Sequence, residues 1–240
     1  MQPAEHRVYQ HNRLVEASHT LTLNEKRLVL LAASKLDSRK PLPSDGYIRI
    51  SAAEYADVFG ININTVYRML SEAAHRLYAR TIRLYRDDGR VAEEMRWVFH
   101  VIYREGQAQV ELGFSPSVTP YLTRLHREFT HYQLQQVGSL TSFHAIRLYE
   151  LCCQFLRVGS RQVPLDRLRQ MLDVVDKYKS VKDLRRHVLD ASIREINEHT
   201  NLTVSVEPKR KGRRIVAFTF SIRQKCDAVG SNESQAALDL

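Results

Sequence analysis

Five cations fall within six positions, Lys209, Arg210, Lys211, Arg213 and Arg214, broken only by Gly212. Alternating segments flank them. Leu202, Val204 and Val206 alternate with Thr203, Ser205 and Glu207, and Val216, Phe218, Phe220 and Ile222 alternate with Ala217, Thr219 and Ser221. Period-two alternation on both sides predicts two strands with the basic run at the hairpin tip. A tip needs a glycine or two, not a row of like charges, and the repulsion there is unfavourable unless a polyanion neutralises it. If about five phosphates are engaged, log K falls against log salt with a slope near −4 to −5.

Upstream, Ser180 and Asp183 have the spacing of a helix cap, and a helix is predicted over 181–197. At 100° per residue, Val181, Leu184, Val188, Ala191 and Ile196 share one side. Asp183, Arg186, His187 and Asp190 lie opposite, with Lys182 at the border. Arg185 falls nearer the apolar side, from which its long stem would reach a phosphate. Such a helix spans roughly 25 Å, enough to lie in a DNA major groove. Its first turn offers peptide N–H groups and a positive dipole end to phosphate, and arginine makes the bidentate contact to guanine O6 and N7. Lys179, just ahead of the cap, joins this candidate set. A second helix, over 64–78, buries Val66, Leu70, Ala73 and Leu77 and leaves Asn64, Tyr67 and Arg68 as further candidate DNA contacts. The hairpin signal near it, Asp88-Gly89, has an acidic tip and does not read as a phosphate grip.

Enzyme signatures are weak. There is no Gly-x-Ser-x-Gly, no His-Glu-x-x-His and no phosphate-binding Gly-x-x-x-x-Gly-Lys loop. His126, Glu128 and His131 lack zinc-helix spacing. His144-x-x-Arg147 with Tyr178 as nucleophile leaves a tyrosine recombinase as a remote alternative, although Ile146, Leu148 and Leu151 mark that helix as a packing element. No cofactor or metal motif appears.

The elements that must position these groups follow from the rest of the chain. Its 240 residues are 43% hydrophobic, enough for one or two packed cores, and the net charge is +9 with a pI near 9.6. Residues 1–125 hold 17 basic and 14 acidic side chains, residues 126–223 hold 18 and 10, and residues 224–240 hold 1 and 3. A polyanion should therefore meet the second half. There is no apolar run of about 18 residues for a membrane span, no signal peptide pattern, and the three cysteines, Cys152, Cys153 and Cys226, form no disulfide or zinc spacing. The expectation is a reduced, cytoplasmic protein with no membrane partner; the cations sit on a hairpin and a helix rather than on a membrane-seeking amphipathic face.

Thr22 with Glu25, and Ser51 with Glu54, are capping boxes opening helices that end before Lys40-Pro41 and at Phe59. Strands are predicted at 47–50, 81–86, 95–103 and 109–114. Helices over 143–156 and 165–172 bracket a strand at 161–163. Leu14, Leu21 and Leu28 are seven apart but read as core rather than a zipper. The order helix, short strand, short helix, long helix, hairpin occurs twice. The predicted fold is α+β with two tandem winged-helix domains: 1–11 a flexible arm, 12–125 the first domain, 126–223 the second, and 224–240 a flexible tail.

Several blocks resemble iteron-binding plasmid replication initiators: Asn12-Arg-Leu-Val-Glu-Ala-Ser-His-Thr-Leu-Thr-Leu-Asn-Glu-Lys-Arg-Leu28, Phe143-His-Ala-Ile-Arg-Leu-Tyr-Glu-Leu-Cys152, Tyr178-Lys-Ser-Val-Lys-Asp-Leu-Arg-Arg-His-Val-Leu189, Glu195-Ile-Asn197 and Lys211-Gly-Arg213. The resemblance implies two winged-helix domains, monomers on direct repeats at an origin, and dimers repressing the initiator's own promoter. It assigns dimerisation and accessory DNA contacts to the first domain and base reading to the second, around Ser180, Asp183, Arg185 and Arg186. A host replication initiator and the replicative helicase are the implied partners. One member of that family has arginine at the positions matching Ser180 and His187, so the repeat read here should differ. A winged-helix repressor without initiator activity is the alternative, since it needs the same two helices.

Overall fold

The computed structural model describes residues 6–225. The chain enters through β1 (Arg7–His11), the short helix α1 (Asn12–Val15) and α2 (Leu23–Ser34). At the head of α2 the Thr22 hydroxyl accepts the Glu25 N–H while the Glu25 carboxylate accepts the Thr22 N–H at 2.9 Å, a reciprocal cap for two otherwise orphaned donors. β2 (Tyr47–Ser51) leads to α3 (Ala52–Phe59), capped by Ser51 and closed by Gly60 at φ +62°, a left-handed turn that favours glycine. α4 (Ile63–Tyr78) begins one residue ahead of Asn64, because Asn62 supplies the cap. β3 (Thr81–Tyr85), β4 (Val91–Arg96), β5 (Val98–Arg104), β6 (Gln109–Phe114) and β7 (Phe129–Gln133) follow.

The second series runs α5 (Gln135–Gly138), α6 (Phe143–Gln154), β8 (Ser160–Pro164), α7 (Leu165–Met171) and α8 (Val181–Leu184). A π-helical stretch (Arg185–Asp190), α9 (Ala191–His199), β9 (Leu202–Lys211) and β10 (Arg214–Gln224) complete it. Two three-stranded antiparallel sheets, ordered β2-β6-β5 and β8-β10-β9, each place the last strand in the middle and stand beside a short-helix, long-helix pair. That shared topology is the winged helix, present twice. Leu14, Leu21 and Leu28 are buried, so they are core.

Two expectations are corrected. Residues 7–11 are no loose arm: β1 pairs with β7, Val8 opposite Tyr132 and Gln10 opposite Thr130. Alternate residues are buried there, but the partner strand lies far along the chain and the buried set includes Gln10, so no local apolar period announces it. The strand predicted over 95–103 is two strands. Trp97, fully buried, separates β4, which pairs with β3, from β5, which pairs with β6, its N–H turning to the Arg80 carbonyl and its carbonyl to the Ser115 N–H. Consequently the acidic Asp87-Asp88 hairpin is not the wing of the first domain. It joins β3 to β4, and its Gly89 carbonyl accepts from Gln170 of α7 at 3.0 Å. The wing is β5–β6, turning through Glu105–Gln107. The tail expected over 224–240 lies outside the described residues from position 226 onward, and so does Cys226.

A buried charge cluster joins the two series. Glu150 of α6 lies 2.8 Å from Lys26 of α2 and 2.8 Å from Arg147, all three without exposed side-chain surface. Tyr132 and Gln10 donate to the same carboxylate at 2.7 and 3.1 Å. Arg147 also donates to the carbonyls of Val15, Ala17 and Met171 at 2.7, 2.8 and 3.2 Å, tying α1 and the end of α7 to α6. Burial pulls the Lys26 ammonium down to about 8, with Glu150 acting against that pull. Burial pushes Glu150 up, but Lys26 and then Arg147 outweigh it and hold the carboxyl below its ordinary value.

Candidate nucleic-acid interface

α8, the π-helical stretch and α9 form one continuous rod. Leu184, Val188 and Ile196 are buried on its inner side, while Lys182, Asp183, Arg186, His187 and Asp190 are exposed on the outer side. Lys179 and Ser180, at its entry, are exposed too. The Ser180 hydroxyl accepts from the Lys182 N–H at 3.2 Å, so Ser180 is the cap and Asp183 is left facing out. Arg185 is half-buried, its Nε 3.4 Å from Asp190. The π-helical turn spans Arg185–Asp190, the segment that carries both arginines; such turns are rare and concentrate at functional sites.

The rod's far end is fixed to the wing strand. Asn197 donates to the Val204 carbonyl at 2.8 Å and accepts the Val204 N–H at 2.6 Å. Lys225, beyond β10, donates to the Thr200 carbonyl at 2.7 Å, satisfying an acceptor at the end of α9. The wing is longer than the alternation of 202–207 and 216–222 predicts. Lys211 pairs with Arg214, so only Gly212, at φ +62°, and Arg213 make the turn. All five cations are exposed. Strand alternation sends Lys209 and Lys211 to the face opposite Arg210, and Lys209 donates to Gln162 of β8 at 2.8 Å. In the first domain, α4 exposes Asn64 and Arg68 and half-buries Tyr67.

The recombinase set does not assemble. Arg147 is fully buried in its carbonyl cradle beside Glu150, out of reach of any phosphodiester. Tyr178 instead stacks its ring on His187 at 6.1 Å, beside the exposed side of the rod. Among the described residues no group of three or more His, Cys, Asp or Glu is placed to hold a metal, and no helix is long and apolar enough to cross a membrane. Arg169 is a residue that the sequence reading passed over. It sits on the apolar stripe of Leu165 and Leu168 of α7 and Leu172 at its end cap, and a cation on such a stripe is the one signal that marks it.

Over residues 7–153 the chain matches the family described as Initiator Replication protein, WH1, and over residues 164–222 the one described as Initiator Rep protein, WH2. The first match takes in β7 and α6, beyond the expected division at 125/126. An Escherichia coli protein described as an uncharacterized 27.6 kDa protein is 27% identical over 234 residues, covering 93% of this chain and 96% of that one. An Escherichia coli replication initiation protein is 23% identical over 234 residues, covering 95% of this chain and 73% of that one. The crystal structure of the Pi initiator protein in complex with iteron DNA shares the fold, with a TM-score of 0.80 at 23% identity, covering 94% of this chain and all of that one. With both winged-helix regions matched in order across most of its length, the chain belongs to the replication initiator family.

Proposed function

We propose that the chain is a sequence-specific, double-stranded DNA-binding initiator of plasmid replication, reading direct repeats at an origin as a monomer. The observation that carries this is the second domain's exposed rod face, Lys182, Asp183, Arg186 and His187, on an element hydrogen-bonded to the wing strand that bears five exposed cations. The rod reads base edges; Lys209, Arg210, Lys211, Arg213 and Arg214 take phosphates, which position the protein without specifying sequence. Lys179, Ser180 and Arg185 support the rod's grip, and Asn64, Tyr67 and Arg68 of the first domain add contacts. Pi, which shares the fold, has been crystallised on iteron DNA, in keeping with this reading.

The chain supplies no catalytic step. Opening of the origin draws on binding free energy and DNA deformation, easiest at pyrimidine–purine and A·T-rich steps. A homodimer through the first domain represses the chain's own promoter; Phe99 (53% exposed), its inner side lying over Gly113, and Tyr103 (44%) put exposed apolar surface suited to it on the sheet-edge strand β5. The host replication initiator and replicative helicase are its partners in the cytoplasm, a reading that rests on the family. Footprinting of the purified chain on the DNA flanking its own gene tests the proposal: several evenly spaced protected repeats support initiation, whereas one palindrome and nothing else leaves only a repressor.

A further inference from the structure

The turn between α7 and the rod is wrapped around one buried guanidinium. Arg169 is 9% exposed. Its Nη1 donates to the carbonyls of Val174 at 3.4 Å and Lys177 at 3.0 Å, and its Nη2 to those of Tyr178 at 2.9 Å and Lys179 at 3.1 Å. The wrap ends at Ser180, the cap of the rod. Two turn residues hold left-handed backbone without being glycine, Asp173 at φ +55° and Tyr178 at φ +51°. Such conformations persist where the surroundings over-determine them. Here Arg169 fixes Tyr178, while Ser18 and Thr20 of the first domain donate to the Asp173 carboxylate. Only a guanidinium offers a rigid fork of donors to several carbonyls at once; an ammonium presents a compact point charge on a flexible stem.

We propose that Arg169 is a positioning residue for base reading: it touches no DNA, but sets where the first turn of the rod, and hence Lys182 to Arg186, stands against the base edges. The proposal rests on the DNA-reading role given above. Base-edge contacts need placement to within roughly 0.5 Å, whereas long wing cations follow a phosphate through larger shifts. Loss of Arg169 therefore removes discrimination and spares general affinity.

The test uses the full chain with Arg169→Met and Arg169→Lys. The probes are a duplex enriched by the wild-type chain from a random-sequence pool and an unselected duplex of equal length. Arg169→Met is expected to bind the enriched duplex about 10- to 100-fold more weakly and the unselected one within about twofold, at an unchanged salt slope. Without DNA, amide exchange should quicken across 177–182 and stay slow in β10. Arg169→Lys moves the same way and less far, and takes over the comparison if Arg169→Met does not fold. Equal loss on both duplexes with a lowered slope would make Arg169 a phosphate contact; undiminished discrimination in a folded variant would show that the turn holds itself. Either result overturns the proposal. Arg186→Ala, measured alongside, separates the two levels. If it too keeps full discrimination, the reading role falls; if it loses discrimination while Arg169→Met does not, only the positioning role falls.

Discussion

Arg186 stands on the outer side of the rod where the π-helical stretch begins, and Arg185 beside it leans on Asp190. In the proposed reading the pair divides the work, Arg186 toward a base and Arg185 toward a phosphate. Arg186→Ala should cost about 1–3 kcal/mol on the enriched duplex and much less on unselected DNA; competition binding with both duplexes measures it, and equal loss would assign Arg186 to phosphate. The buried carboxylate Glu150 makes a separate demand on stability. Glu150→Gln leaves Lys26 and Arg147 buried without their counter-charge, so chemical denaturation should show a loss of about 3–5 kcal/mol. Its pH dependence has a definite sign. The folded-state pKa of Glu150 lies below the value of 4.5 expected when unfolded, so below that value the unfolded chain binds more protons. The contribution is complete above pH 4.5 and is lost as pH falls through the folded pKa. Denaturation midpoints between pH 3 and 6 should fall more gently in Glu150→Gln than in the wild type.

The wing acts as an element rather than through any one side chain. Replacing Lys209, Arg210, Lys211, Arg213 and Arg214 with glutamine should weaken binding to all duplexes alike and flatten the salt slope by about 4 to 5; a slope that stays put would mean the wing points away from DNA. Both this hairpin and the rod were legible in the sequence because their signals are local: strict alternation around a basic run, and an apolar face behind a serine cap. The Thr22 and Ser51 caps were legible for the same reason. What escaped depended on distant partners. β1 is stabilised by β7, the break at Trp97 by carbonyl and amide groups of Arg80 and Ser115, and the first wing is therefore β5–β6 rather than the hairpin with the obvious Asp-Gly turn. Arg169 showed only as a cation on an apolar stripe, because its partners are main-chain carbonyls, which carry no sequence signature. The π-helical turn left no mark in the 100° projection, which placed Leu184, Val188 and Ile196 inside and Asp183, Arg186, His187 and Asp190 outside, while Val181 and Ala191 are only half-buried.

At the scale of the whole chain, the two domains are joined through their interiors. Arg147 gathers carbonyls from α1 and α7, Glu16 pairs with Arg161 and Arg167 of the second domain, and Arg167 lies over the Tyr85 ring. The first domain also holds the turn at Asp173 through Ser18 and Thr20, while among the described residues β5 remains a sheet edge. Phe99→Asp should leave the fold intact, since the side chain is more than half exposed, and should shift the sedimentation profile toward monomer; an unchanged dimer would place the self-contact elsewhere. In the proposed complex, rod and wing grip one duplex side by side. Photo-crosslinking measures this directly, with a benzoylphenylalanine placed at position 186 or at position 213 of the full chain and the enriched duplex as target. Both positions are expected to crosslink to the same repeat, 186 to bases in the major groove and 213 to the neighbouring backbone, with excess salt abolishing both. Crosslinks from 213 without any from 186, or from the two positions to separate repeats, would contradict it.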